Sequence, residues 1–350
     1  MSGTIRVGVI GLGMGAGHAE QFNRLPGSTV AALADLNRDR LAAVGKKLGV
    51  AEQFTSALKM MDKVPMDAVV VATPNKFHAP LTIAALERGL HVFCEKPMAM
   101  NLAEAKAMKA AAAKARRRLM INFSYRFLPM SMALKQQVDA GVVGPIYFGR
   151  TVWHRQRGMP GFGGWFGDRK LSGGGPLIDL GVHRIDLALW LMGRPEPISV
   201  SGSSYNVIAK RIAAEQKKLF TVEDLACGIV KFANGATLVV EASWALNIQD
   251  PEHMITSLYG EKGAITQKNV GGGYQYQAEL VTEEQGCIFT KTLAQSTRKT
   301  PSSQEEFLAC IREKREPSAS ADDGIRVQKI LDGLYASARK GREIVFAQRS

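Results

Sequence analysis

Cysteine is scarce in this chain: 350 residues carry four, Cys94, Cys227, Cys287 and Cys310, far apart and without a C-x-x-C pair. This argues against a zinc site and a disulfide framework and predicts reduced thiols, mostly buried, and no bound metal. Long apolar runs are also missing. Stretches such as Asp67 to Thr73 or Ile185 to Met192 fall well short of the roughly 20 residues that span a bilayer, so no membrane segment is expected. A strand-like run begins at residue 4, which leaves no room for a secretory leader ahead of it, and a cytoplasmic protein is expected. Aromatics make up only 7% of the residues. The excess of 45 basic over 32 acidic residues is scattered in pairs and triples (Lys46-Lys47, Arg116 to Arg118, Lys217-Lys218, Arg339-Lys340) without aromatic interleaving. That pattern reads as a solvated basic surface, not a nucleic-acid interface, although it favours anionic ligands by long-range steering.

With 46% hydrophobic residues, the chain can bury a large core, and its length favours two domains. Strand and helix alternate through the first 124 residues: Thr4 to Ile10, a helix to about Leu25, Thr29 to Ala34, Arg38 to Leu48, Asp67 to Ala72, Ala79 to Arg88, His91 to Cys94, Leu102 to Lys114 and Arg118 to Phe123. Repeated units of this size require parallel strands and right-handed crossovers, so residues 1–124 are expected to form a doubly wound α/β domain. The polar stretch Asn122 to Arg126 reads as a linker. From there to residue 350 the pattern changes to runs such as Tyr147 to Trp153, Ile198 to Ser203, Ala226 to Phe232, Ala236 to Ala242 and Met254 to Tyr259, with the hairpin signal Asn234-Gly235. Helices are expected at Leu177 to Leu191, near Glu305 to Glu313 and at Gly324 to Lys340. Gly271 to Gly273 reads as a hairpin tip.

The first turn, Gly11-Leu12-Gly13-Met14-Gly15-Ala16, fits G-x-G-x-x-G/A. Gly11 allows the tight turn, Gly13 lets a pyrophosphate approach the backbone, and the small Ala16 lets helix and strand pack closely, with the phosphates on the helix N-terminus. Asp35, 19 residues beyond Ala16, closes the second strand where it can accept from ribose hydroxyls. A carboxylate there repels a 2′-phosphate and favours NAD, while Arg38 and Arg40 leave NADP open. Two further strand ends point at the same crevice: Thr73-Pro74-Asn75 with His78, and Glu95-Lys96-Pro97. Lys96 ends a parallel strand, where open α/β sheets place their ligands, though a lysine before proline also fits a solvated turn.

In the second half, Gly173-Gly-Gly-Pro-Leu-Ile-Asp179-Leu-Gly-Val-His183-Arg-Ile-Asp186 sets Asp179 and His183 four apart on a helix, with Asp186 three later on the same side. On spacing alone, Asp179 as a helix cap and His183 as a satisfied core histidine explain the pattern better than a site does.

Together, the glycine turn, A72-T-P-N75 with His78, E95-K-P97 and the D179-x-x-x-H183 segment make the chain similar to the glucose-fructose oxidoreductase, inositol dehydrogenase and MocA family of nicotinamide-dependent oxidoreductases. The match runs from Ile5 to about Val345, with the glycine loop one residue shorter before His18 than in many members. The resemblance implies a C-terminal α+β domain on a large, mainly antiparallel open sheet, for which the expected span is 125–350, and a catalytic set of Lys96, Asp179 and His183. It implies hydride transfer between a ring secondary alcohol of a sugar, sugar derivative or cyclitol and NAD(P). His183 would take the proton, Lys96 would steady the oxygen and Asp179 would orient both. Lys96, Asp179 and His183 would also touch substrate. By position, and because aromatic faces and arginine forks suit carbohydrates, Tyr125, Arg126, Trp153, Arg155, Arg157 and Trp165 read as further wall residues, while Trp153 and Phe162 read equally as core. Two other readings stand beside it: an NAD-dependent glycosidase working by transient oxidation, and a non-catalytic dinucleotide-binding regulator. An exposed sheet face usually requires a partner, so a homodimer or homotetramer is expected.

Overall fold

The computed structural model describes residues 3–293, 296 and 299–347. The chain divides into two compact units, Met1–Asn122 with Pro301–Ile325, and Phe123–Thr300 with Arg326–Ser350.

The first unit runs β1 (Ile5–Ile10), α1 (Gly15–Arg24), β2 (Ser28–Ala34), α2 (Arg38–Leu48), β3 (Gln53–Phe54), α3 (Ala57–Lys63), β4 (Ala68–Val71), α4 (His78–Glu87), β5 (His91–Cys94), α5 (Leu102–Ala115) and β6 (Leu119–Ile121). Its strands form one parallel sheet in the order β3-β2-β1-β4-β5-β6, a doubly wound arrangement whose switch point falls between β1 and β4. The central strand β4 is an unbroken run of alanine and valine with every residue fully buried, as a strand covered on both faces must be. α2 starts where the Asn37 side chain accepts from Arg40 N and stops at left-handed Gly49.

The second unit carries α6 (Pro129–Asp139), β7 (Ile146–Arg155), the short α7 (Arg169–Ser172), α8 (Val182–Leu191), β8 (Pro197–Tyr205), α9 (Ile208–Glu215), β9 (Leu225–Phe232), β10 (Thr237–Ser243), β11 (Glu252–Gly260), β12 (Gly263–Val270), β13 (Gln275–Glu284) and β14 (Cys287–Leu293). After them come α10 (Ser303–Glu313), α11 (Ala321–Lys340) and β15 (Ile344–Val345). The unit's sheet has nine strands in the order β14-β13-β12-β11-β7-β10-β9-β8-β15, all antiparallel pairs except β7 with β10.

Four expectations need correction. Residues 125–350 do not all belong to the second unit, because α10 and its flanks return to the first. There Phe307 packs edge-on against Phe22 and Phe93, ring centroids 6.3 and 5.5 Å away, and Ile121 N donates to Ala319 O. The helix's apolar face needs that sheet more than its place in the sequence would suggest. The stretch Asn122 to Arg126 does carry the boundary between the units, at Asn122 and Phe123, but it is no solvated linker, since Asn122, Phe123, Tyr125 and Arg126 are buried. The helix expected over Leu177 to Leu191 opens with a π turn, Leu177–Gly181, before α8 proper. Finally, two of the four free cysteines are buried, Cys94 and Cys310, while Cys227 is half-buried and Cys287 exposed on β14.

Candidate active site

In the first unit, the glycine turn has the shape a dinucleotide needs. Gly11 has φ +85°, and a Cβ there would lie 2.6 Å from Ala72 O, so no other residue fits. At Gly13 a Cβ would meet only Arg40 Nη1, at 3.9 Å, which leaves an open cradle before α1, a helix with no side-chain cap. Met14 is exposed beside it. Asp35 braces this turn: Oδ2 accepts from Leu12 N at 2.6 Å and Oδ1 from Asn37 N at 2.8 Å, with Arg40 Nη1 3.5 Å from Oδ2. Across the switch point, Thr73 Oγ1 is buried without a hydrogen-bond partner. An open glycine cradle, an uncapped helix and an orphaned hydroxyl fit a nicotinamide dinucleotide.

The two other strand-end segments are tied to each other by His78. Its Nδ1 lies 2.7 Å from Pro97 O and its Nε2 2.8 Å from Thr73 O, and burial holds its pKa below the ordinary imidazole value. His78, expected to touch cofactor, is therefore a buried strut between Thr73-Pro74-Asn75 and Glu95-Lys96-Pro97. Asn75 is buried beside it, and the Lys96-Pro97 peptide is cis.

Glu95 is also a brace. Its Oε1 lies 2.6 Å from His18 Nε2 and accepts from Asn122 Nδ2 at 2.6 Å, while Oε2 accepts from Lys96 N at 3.1 Å. His18 Nδ1 in turn meets Gln304 Nε2 of α10 at 2.8 Å. Burial pushes the Glu95 carboxyl up, but the hydrogen bond and charge of His18, with Asn122, outweigh it and hold the group at about 2. Since the folded pKa lies below the unfolded one, the stability this carboxylate adds is present above the ordinary carboxylate range and is lost as pH falls toward 2. Glu95→Gln is expected to cost about 3 kcal/mol at pH 7, with the gap to the parent protein closing in urea unfolding run at progressively lower pH.

In the second unit, Asp179 and His183 face one aromatic cluster that includes Tyr125, Trp153 and Trp244. Asp179 Oδ2 accepts from Trp244 Nε1 at 3.1 Å, and the His183 ring lies 4.9 Å from Tyr125 and 5.8 Å from Trp153. Asp179 is no helix cap, because that task falls to Glu223. The Glu223 Oε1 atom accepts from Gly175 N, Leu177 N and the Tyr335 hydroxyl at 2.9, 3.3 and 2.7 Å. The glycine run exists for this packing: a Cβ on Gly174 would lie 2.0 Å from Tyr335 Oη, and one on Gly175 2.1 Å from Glu223 O.

Asp186 does not join them. It forms a buried fork with Arg126, Nε to Oδ2 at 2.8 Å and Nη2 to Oδ1 at 2.5 Å, and the guanidinium also lies over Phe123 and Trp190. Arg126, expected as a substrate wall, is thus committed to the core. Tyr125 has its hydroxyl 3.0 Å from Tyr276 Oη, and burial raises its pKa, so it stays a neutral phenol. Arg155 is held by Glu252, Tyr274 and Gly158 O; Arg157 is exposed and bonds Asn247 Oδ1 at 2.7 Å; Trp165 stacks on Phe166 with centroids 3.8 Å apart.

Arg184 escaped the sequence reading. It is fully buried, donates to Gln267 Oε1 at 3.2 Å, and lies under the rings of Tyr125, Trp153 and Tyr276 at 4.8, 5.4 and 5.6 Å. The signal was available: it is the sole cation in α8, a helix otherwise buried nearly all round. Tyr125 and Trp153 are also the rings that His183 meets.

Residues 5–123 match the model of an oxidoreductase family with an NAD-binding Rossmann fold, and residues 131–266 match the GFO/IDH/MocA C-terminal domain. The chain is 33% identical, over 98% of its length and 98% of the relative's, to the D-glucoside 3-dehydrogenase of Escherichia coli strain K12. It is 28% identical to the Myo-inositol 2-dehydrogenase of Thermotoga maritima, over 91% of this chain and 92% of that one. Among solved structures, the aldose-aldose oxidoreductase of Caulobacter crescentus superposes with a TM-score of 0.82 at 26% identity, covering 98% of this chain and 100% of that one. A first unit built to cradle a dinucleotide, a second unit presenting Asp179 and His183, and likeness across nearly the full length agree: the chain belongs to the GFO/IDH/MocA family of oxidoreductases and binds NAD through its Rossmann domain.

Proposed function

We propose that the protein is an NAD-dependent dehydrogenase that oxidises a ring secondary alcohol of a sugar, sugar derivative or cyclitol. The observation that carries this reading is the seat of His183, an imidazole tilted against the rings of Tyr125 and Trp153, 4.9 and 5.8 Å away. Aromatic faces pack against the apolar C–H face of a hydroxylated ring, and a histidine set among them meets that ring's hydroxyls.

NAD, when bound, supplies the hydride acceptor. The alcohol carbon gives up its hydride and the hydroxyl its proton, leaving a carbonyl. His183 takes that proton as general base. Lys96 donates to the same oxygen and stabilises its developing negative charge. Asp179 sets the orientation and charge of the other two, with Trp244 Nε1 fixing its own carboxylate. The fold of the second unit supports a homodimer or homotetramer, because Ile229 and Tyr259 project exposed from one face of its sheet, and the proposed setting is the cytoplasm.

The test is absorbance at 340 nm with NAD or NADP against inositols, aldoses, glycosides and sugar acids. NADH is expected to accumulate with at least one, faster than NADPH. Cleavage of an aryl glycoside with no net NADH would overturn the reading in favour of glycoside hydrolysis. Light scattering on the eluting protein checks the oligomer, a monomer being the contrary result.

A further inference from the structure

Arg184 follows His183 on α8, and the proposed mechanism leaves it without a task. It is fully buried, yet among the described residues no carboxylate pairs with it; Nη1 donates to Gln267, while Nε and Nη2 have no hydrogen-bond partner. Burying a charge in this way is costly unless something compensates, and an arginine does not shed its proton. The compensation comes from the rings of Tyr125, Trp153 and Tyr276, the nearest with its centroid 4.8 Å from the guanidinium carbon. Several elements fix the residue in place. Gln267 of β12, itself fully buried, donates from Nε2 to Ser131 Oγ of α6 at 2.5 Å, and Thr151 Oγ1 of β7 donates to Arg184 O at 3.3 Å. Because Tyr125 meets both side chains, the guanidinium and the His183 imidazole lie within about 10 Å of each other, close enough for their charges to interact.

We propose that Arg184 is a positioning residue for the proton transfer: its fixed positive charge opposes a second one on His183 and so keeps the imidazole ready to take the alcohol proton. The inference rests on the dehydrogenase reading above. Like charges disfavour one another's charged form, and here rings and buried side chains, not bulk water, surround the guanidinium. The remaining groups around this cluster are accounted for. Glu252 of β11 is engaged by Arg155 Nε at 2.5 Å and Trp153 Nε1 at 2.8 Å. Burial raises the phenols of Tyr125, Tyr274 and Tyr276, so they stay neutral. Asp179, on the π turn, acts in the opposite sense to Arg184 and holds the Trp244 indole; it is the same in the parent and in every variant at Arg184.

The experiment follows kcat/KM for NAD reduction against pH in the parent, Arg184→Met and Arg184→Lys, using whichever of the screened inositols, aldoses, glycosides and sugar acids the parent oxidises fastest. The acid limb of that profile reports the general base of the free enzyme. In Arg184→Met it is expected to move up by about half to one pH unit, so that kcat/KM falls roughly three- to tenfold below the limb and holds on the plateau above it. Arg184→Lys, which keeps the charge, is expected to return the limb to the parent's position. Methionine replaces an unpaired buried charge with an apolar side chain, so Arg184→Met is expected to fold; Arg184→Gln takes its place if thermal unfolding shows otherwise. An unmoved limb, an equal loss at every pH, which is what a purely structural role gives, or a limb that lysine fails to restore overturns the role of Arg184 and leaves the dehydrogenase intact. A parent that reduces NAD with none of the screened compounds overturns both.

Discussion

Replacing Lys96 by Met is expected to lower kcat by ~100- to 1000-fold, the loss typical of removing one donor from a developing oxyanion. Affinity for NAD should change by no more than a few-fold, because the turn that cradles the dinucleotide is built by Gly11, Gly13 and the brace from Asp35 to Leu12 N. Replacing His183 by Ala is expected to lower kcat by ~100- to 10,000-fold, the range for a lost general base. These two losses should be far from additive, since the proposed mechanism has both residues act in the same step. Steady-state turnover separates them from binding when run beside an NADH fluorescence titration. Full activity in either variant would remove that residue from the mechanism, and a large loss of NADH affinity with normal kcat would make Lys96 a cofactor ligand only.

The largest expected stability effect lies elsewhere, at the Arg126–Asp186 fork. Both side chains are almost wholly buried, and each satisfies the other with two short bonds. Asp186→Ala takes the carboxylate away from a buried guanidinium, which costs about 3–5 kcal/mol and lowers Tm on the order of 10 °C. The double variant Arg126→Met with Asp186→Leu is expected to regain most of that, because two apolar side chains of similar volume carry no desolvation cost. Thermal unfolding followed by circular dichroism distinguishes the cases. A single variant as stable as the parent would mean that Arg126 finds water or another partner.

The contrast between Asp179 and Asp186 shows how far the sequence could be read. The Rossmann half was legible because each signal is local. Asn37 and Gly49 delimit α2 at Arg38 and Leu48, and β5 starts at His91 and ends at Cys94, as expected from the run of residues. The glycine turn and Asp35 likewise lie within one β-α-β unit. What escaped depends on partners distant in the chain. Nothing near Gly175 announces that Glu223, 48 residues on, will cap the helix there, or that Asp186 will find Arg126 sixty residues earlier. Helical spacing alone put Asp179, His183 and Asp186 on one side, whereas the π turn and the Arg126 fork separate the third from the first two. Arg184 was missed for a related reason: an arginine in a buried helix is intelligible only once Tyr125, Trp153 and Tyr276 close over it.

The return of α10 to the first unit bears on the order in which the protein is made. Every strand of the parallel sheet has left the ribosome by Ile121, yet Phe307, which covers Phe22 and Phe93, and Gln304, which meets the His18 ring, are encoded far downstream. At translation rates of about 5–20 residues per second, the nascent sheet waits roughly 10–40 s for its last helix. Through that interval two phenylalanines of the eventual core face solvent or a chaperone, and slowing translation between the two segments would lengthen the period in which the sheet is open to aggregation.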